Sequence, residues 1–244
     1  QIVQTLVYPR GSFNQNVIDQ VKKDHIAARQ FDDQRNYTFQ YEFASTEDDY
    51  YRVKQIQVND SRMSALEMGQ WIDHANTNNG LMIFTFHSLV AGDTWFDQIT
   101  TAFYHELLDV VVQKKNTTWV TTFAKSIKYH KEAHCATLST VSNSTNQWLL
   151  NLTDTLSNNT TYNQALTIRL DTEGETVVAV SQNGTNIPFS VQGQEVVFNA
   201  TPDAGDIVIS KNSNGVALSL DITSPNDGDE FVGLGSLNIS ANAS

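Results

Sequence analysis

The chain holds a single cysteine, Cys135, so it can form no internal disulfide and no cysteine-rich zinc site. A lone cysteine is most often a small buried hydrophobe. Charge is also sparse. Only 17% of residues are charged, and the net charge of −12 leaves little basic surface. That balance disfavours nucleic acid and anionic membranes as partners. It suits neutral or cationic ligands, and solubility alone explains it equally well. Long apolar runs are missing: Leu81-Met82-Ile83-Phe84-Thr85-Phe86 fits a buried strand and is far too short to span a membrane. There is no Met at position 1 and no signal peptide. Leu237 to Asn242 reads as a strand that has only begun, so the chain is expected to be a fragment open at both ends.

Asn, Thr, Ser and Gln are abundant, a composition common among secreted carbohydrate-active proteins. Eleven Asn-x-Ser/Thr sequons occur, among them Asn36, Asn116, Asn151 and Asn199. In a chain this rich in Asn and Thr many arise by chance, and they do not establish glycosylation.

The most informative residue is His87, which ends the apolar run. If the sheet is parallel, His87 sits at the carboxyl end of a strand, where such sheets place their chemistry. The plain alternative is a histidine that caps a strand and bonds a neighbour.

Up to about residue 133, short apolar runs alternate with helical patterns. Ile2 to Tyr8 predicts a strand that stops at Pro9-Arg10-Gly11. A helix follows from about Phe13, with Phe13, Val17 and Val21 on one face. Ile26 to Phe31 is the next strand. The stretch from Asp32 to Ser61 is polar and loop-like, broken by Tyr50 to Val53. Ser64 and Glu67 form a capping box, with Met63 and Met68 placed as its hydrophobic staple. That helix runs through Trp71, Ile72 and Ala75 to the breaker Asn78-Asn79-Gly80. A long helix is predicted from Trp95 to about Lys114, then a short strand at Trp119 to Thr122. A last helix carries Phe123, Ile127 and Tyr129. Such alternation means a parallel sheet with helices outside.

After Cys135 the period changes to two. Ala165 to Leu170, Thr176 to Val180, Gln194 to Phe198 and Asp206 to Ile209 read as strands. Asn183-Gly184, Gln192-Gly193 and Pro202-Asp203 supply turns. The fold class is therefore α/β plus all-β. An α/β part covers 1–133, a small antiparallel β-sandwich covers 135–212, and a further β module opens at 216–244.

Three stretches of the first part, Tyr8-Pro9-Arg10-Gly11-Ser12-Phe13-Asn14, Leu81 to His87, and Trp119 to Tyr129, resemble in that order motifs of the polysaccharide deacetylases of carbohydrate esterase family 4. The match is to the second half of that family's NodB-homology domain, a distorted (β/α) barrel. The segments Leu152 to Leu156, Tyr162 and Leu166 to Arg169 resemble the β domain that follows it in one bacterial branch. The tail from Ile222 resembles the opening strand of bacterial immunoglobulin-like modules.

The resemblance implies a secreted, metal-dependent hydrolase that removes N-acetyl groups from polysaccharides such as chitin oligomers or peptidoglycan, with O-acetyl esters as nearby substrates. The family binds a divalent metal, zinc or cobalt, through one Asp and two His in motifs that would precede Gln1. His25 and His130 do not match those positions, so no metal is expected on this fragment and the fragment alone is expected to be inactive. By resemblance His87 is the general acid for the leaving amine, a role an imidazole can fill near neutral pH. The Arg10 backbone N–H would face the developing oxyanion. Tyr8, Pro9 and Gly11 would line the substrate, although Pro and Gly also suit a simple turn. The family usually has Tyr where Arg10 stands, and some relatives carry an Arg where Val7 stands, so a base-orienting Arg must come from elsewhere, with Arg29 a candidate. Asp32 or Asp33 would hold the charge of His87, unless they merely open a solvated loop. Trp95 would stack on a sugar ring or, alternatively, pack at a helix start. Trp71 and Trp119 are assigned to packing. The rival expectation is a non-catalytic carbohydrate-binding or adhesion protein on the same scaffold.

Overall fold

The computed structural model describes residues 3–30, 46–59, 61, 63–78, 80–89, 99–157, 160–212, 220–224 and 240–243. The chain divides into two compact units. One comprises Gln1–Cys135 with Leu156–Gln164, the other Ala136–Thr155 with Ala165–Ser244.

In the first unit, β1 (Thr5–Val7) pairs in parallel with β2 (Ala27–Arg29). Arg29 bridges in parallel to Val53, and the chain from Val53 continues into β3 (Ile56–Gln57). β3 pairs in parallel with β4 (Phe84–Thr85). The order of the described strands is sequential. Among the described residues these are two two-stranded pieces joined by one bridge, and no sheet closes into a barrel. β3 falls inside the stretch expected to be loop.

The helices start where the sequence supplies caps. Asn14 caps α1 (Gln15–Val21), Ser64 with Glu67 forms the expected capping box on α2 (Ala65–Thr77), and Thr100 caps α3 (Thr101–Gln113). Met63 and Met68 share one apolar cluster, as a staple requires. Of the face expected on α1, Phe13 and Val21 pack against the core cluster; Val17 is exposed, and the fully buried residue is its neighbour Ile18, three before Val21. The Trp119–Thr122 stretch is not a strand; it leads without pairing into α4 (Phe123–Cys135).

α4 carries the unit's most unusual packing. Phe123, Ile127 and Lys131 recur every four residues, so Lys131 continues the buried stripe. Its side chain is 7% exposed. The ammonium lies 4.4 Å from the Tyr50 ring centre, 5.8 Å from that of Tyr162 and 5.9 Å from that of Tyr51. It also pairs with Glu47 at 2.5 Å. Ring faces replace part of the lost hydration, since their quadrupoles attract a cation. Next to it, the buried Glu132 accepts the backbone N–H of Gln164. Two adjacent charges thus fasten the 156–164 segment, through Tyr162 and Gln164, to α4.

The second unit is antiparallel. A five-stranded sheet runs β5 (Thr137–Asn143), β6 (Gln147–Thr153), β12 (Ile207–Asn212), β8 (Thr176–Gln182), β9 (Thr185–Asn186). A three-stranded sheet runs β10 (Phe189–Gln192), β11 (Glu195–Ala200), β7 (Leu166–Asp171). Alternate residues face inward, among them Trp148 and Leu150 on β6 and Val196 and Phe198 on β11. Asn183 and Gly184 both adopt positive φ, 49° and 74°, as the tight β8–β9 hairpin requires. Lys211 is buried over the Trp148 ring at 4.3 Å and donates to Asn143 at 2.9 Å. A backbone hairpin pairs β13 (Leu220–Ser224) with β14 (Ser240–Ala243).

The tyrosines around Lys131 give the first unit an alkaline limit. Burial, with Glu47 nearby, pushes Tyr50 and Tyr162 from 10 up to about 12. Burial also raises Tyr51 and Tyr8. The folded state keeps these protons where the unfolded chain releases them. Their stabilisation is therefore complete below pH 10 and is lost as the pH rises from 10 toward about 12. Of the eight tyrosines, these four should ionise only with a cooperative loss of near-ultraviolet circular dichroism. A single gradual tyrosinate titration, without unfolding, would show the four hydroxyls open to solvent.

Candidate functional site

The strand pair β3–β4 has two different faces. Val58, Phe84 and Phe86 pack with Met68, Phe103 and Leu107 under α2 and α3. The residues between them, Gln55, Gln57 and Thr85, point the other way, since strand side chains alternate. His87 is next in phase after Thr85. The histidine thus continues the polar face of its strand; the apolar run seen in the sequence owes its greasiness to the helix-covered face.

On the polar face, Arg29 of β2 reaches across β3 and donates to the Thr85 hydroxyl. Thr85 in turn donates to Gln55 Oε1 at 2.7 Å. Gln57 is the register partner of Thr85. Its Oε1 is buried and meets no hydrogen-bond donor among the described residues. Burial pulls the Arg29 guanidinium below its ordinary value, and no carboxylate is paired with it among the described residues. Toward the amino ends of the strands the same face turns apolar: Ala27, Val53 and Ile83 belong to the core cluster. Polar groups therefore gather toward the carboxyl ends.

The expected site residues fall as follows. His87 is exposed, two residues past β4. Pro9, Arg10 and Gly11 form a tight turn immediately past β1 and Tyr8. Because the linked segments are parallel, this turn and His87 lie at the same end of the sheet. Arg10 has φ 55° and Gly11 φ 68°. A non-glycine residue in that region stores strain of order 1 kcal/mol. Tyr8 is 2% exposed and stacks on Phe13 at 4.8 Å, so its ring belongs to the core and not to a substrate surface. Arg29, suggested as a base-orienting residue, instead bonds Thr85. Asp32, Asp33 and Trp95 lie outside the described residues.

A separate cleft of about 580 Å³ opens beside the amino end of β4, lined by Leu81, Met82, Ile83, Trp119, Tyr129 and His130 among others. Trp119, assigned from the sequence to packing, is 55% exposed and leans on Tyr129 with ring centres 5.2 Å apart. His130 exchanges a hydrogen bond with the Tyr50 hydroxyl at 2.9 Å. Burial, with His134 beside it, lowers its basicity. His130 and His134 lie one turn apart with ring planes within 10°. Among the described residues, however, no three His, Cys, Asp or Glu side chains come together to hold a metal ion. The described residues do not fit the divalent ion that the resemblance implies.

The sequence reading missed the Arg29–Thr85–Gln55–Gln57 face. The signal was present in Gln55-Ile56-Gln57-Val58, a strict polar–apolar alternation, but two strand residues are too short to stand out from a polar stretch.

Thr85→Val keeps the shape of the side chain and deletes the bridging hydroxyl. It should destabilise the first unit by about 1–3 kcal/mol in urea unfolding, because Arg29 and Gln55 lose a buried partner. Thr137→Val, on the exposed strand β5, should change stability by less than about 0.5 kcal/mol. Equal effects would show that the hydroxyl bridge carries no weight. Comparison of the chain with protein-family models, with curated proteins and with solved structures found no match.

Proposed function

We propose that the chain belongs to a secreted hydrolase that removes acetyl groups from N-acetylated polysaccharides, chitin oligomers or peptidoglycan, with O-acetyl esters as neighbouring substrates. One observation carries the reading: His87 and the strained Pro9–Gly11 turn share the carboxyl end of a sequential parallel sheet, the end where polar groups gather on one face. Parallel α/β sheets gather reacting groups at that end. The motif resemblance named the same two places on grounds independent of their position in space.

In this reading His87, exposed past the end of β4, delivers a proton to the departing amine. The Arg10 backbone N–H, held in the left-handed turn, points a fixed dipole at the oxygen that gains charge. Asp32 or Asp33 would hold the imidazolium, and Trp95 would stack on the sugar. The chemistry assigned to this chain is proton delivery and oxyanion stabilisation. The described residues do not provide ligands for the family's zinc or cobalt ion.

A second reading has its own observation. The half-exposed Trp119, beside Tyr129 and the apolar cleft, is the kind of surface on which a sugar ring stacks. It favours a non-catalytic carbohydrate-binding or adhesion protein on the same scaffold.

Acetate release separates the two. With the full-length protein, zinc or cobalt and N-acetylated oligosaccharides, His87→Ala should lower kcat by roughly 10²–10⁴-fold with little change in KM. Full activity in His87→Ala would remove the acid assignment. Glycan binding by the wild-type protein without acetate release from any substrate would establish the binding reading instead.

A further inference from the structure

We infer that the polar face of β2, β3 and β4 recognises a secondary amide, with Arg29 donating to its carbonyl oxygen and Gln57 Oε1 accepting its N–H. The two protein groups ask for opposite things. The guanidinium carries only donors. Its single bond among the described residues, to the neutral Thr85 hydroxyl, leaves most of its N–H groups for another acceptor. Gln57 Oε1 is an acceptor, buried and without a donor among the described residues. A buried polar atom left in that condition calls for a partner. Arg29 and Gln57 both converge on Thr85, the first by its hydrogen bond and the second by strand register.

An ionised carboxylate or phosphate would satisfy Arg29 but bring no donor to Gln57 Oε1. A hydroxyl bridges two groups only where both reach its one oxygen, as Thr85 does between Arg29 and Gln55. An amide carries the two functions on different atoms of one rigid plane. The neighbouring Gln55 Oε1 already accepts from Thr85, whereas Gln57 Oε1 meets no donor among the described residues. That the amide is the acetamido group of a sugar rests on the deacetylase reading; that the site takes an amide does not. Arg29 and Gln57 are here binding residues, distinct from the acid and oxyanion roles given to His87 and Arg10.

The test uses N-methylacetamide, the smallest secondary amide of this type, against sodium acetate. Each is titrated into the isotopically labelled full chain while the Arg29 Nε–H and Gln57 side-chain amide resonances are followed. N-methylacetamide should shift both resonances saturably, and acetate should bind at least about fivefold more weakly, because one hydrogen bond is unmade. Gln57→Met keeps side-chain length without the acceptor and should weaken amide binding about five- to tenfold. Gln57→Glu should abolish it, because a carboxylate there would capture Arg29. Equal or tighter binding of acetate, unchanged binding in Gln57→Met, or no saturable response at either resonance would each overturn the inference. The readings fail separately. Acetate release without an amide response at Arg29 and Gln57 removes this site alone. An amide response without acetate release from any N-acetylated glycan supports the site and removes the deacetylase reading alone.

Discussion

Arg29 spans three strands, and its bond to Thr85 is what makes the first unit's sheet more than a stack of paired backbones. The parallel pairings are short: three residues in β1 and β2, two in β3 and β4. Between β2 and β3 the backbone supplies one bridge. Such short ladders hold little register by themselves. A one-residue slip of β4 against β3 would turn Thr85 toward α2 and α3 and bring Phe84 or Phe86 to the polar face. The slip would break the Arg29–Thr85–Gln55 chain and bury hydroxyl and amide groups among aliphatic side chains, at a cost of several kcal/mol. Polar bonding on one face and apolar burial on the other thus enforce the same register.

The same constraint explains why the sequence was only partly legible. Features that depend on neighbours in sequence came through. The Ser64–Glu67 box, the Met63–Met68 staple and the Asn183-Gly184 turn are each complete within a few residues, and each stands where its spacing predicts. Features that depend on distant partners did not. β3 is a strand because Val53 finds Arg29 and Ile56 finds Phe84, and nothing in residues 53–57 alone announces those partners. β5 was missed for the opposite reason. It is exposed along its whole length and, among the described strands, pairs with β6 alone, so it has no inward face and no alternation to read. Trp119–Thr122 carries strand-favouring residues yet remains unpaired, a reminder that β propensity describes a fit to neighbours.

For the candidate site, the location was legible and the surroundings were not. His87 was singled out because an imidazole ending an apolar run looked anomalous. With the two faces of β4 separated, the anomaly disappears: Thr85 and His87 share a polar face, and the apolar residues answer to the helices. The residue remains interesting for where it lies, not for being out of place. Arg29, by contrast, was considered only through a family role. The bonds that define its environment come from residues more than twenty positions away, Gln55 and Thr85, which no local pattern connects to it.

The first unit handles its buried charges in two ways, and the contrast bears on which of them is structural. Lys131 is enclosed by the rings of Tyr50, Tyr51 and Tyr162 and paired with Glu47; Glu132 takes the Gln164 backbone N–H. Each has a partner that fixes chain to chain, and each sits on the packed face of a helix. Removing either partner would strand a charge, which is the expensive change. Arg29 has no such counter-charge among the described residues. It lies on a half-buried sheet face beside an acceptor that meets no donor among the described residues. A half-buried guanidinium whose one bond among the described residues is to a neutral hydroxyl gives up more hydration than that bond returns. A fold needing only a strut between β2 and β4 would be served as well by a neutral side chain. The charge at position 29 is therefore better explained by a ligand's acceptor than by the sheet it crosses.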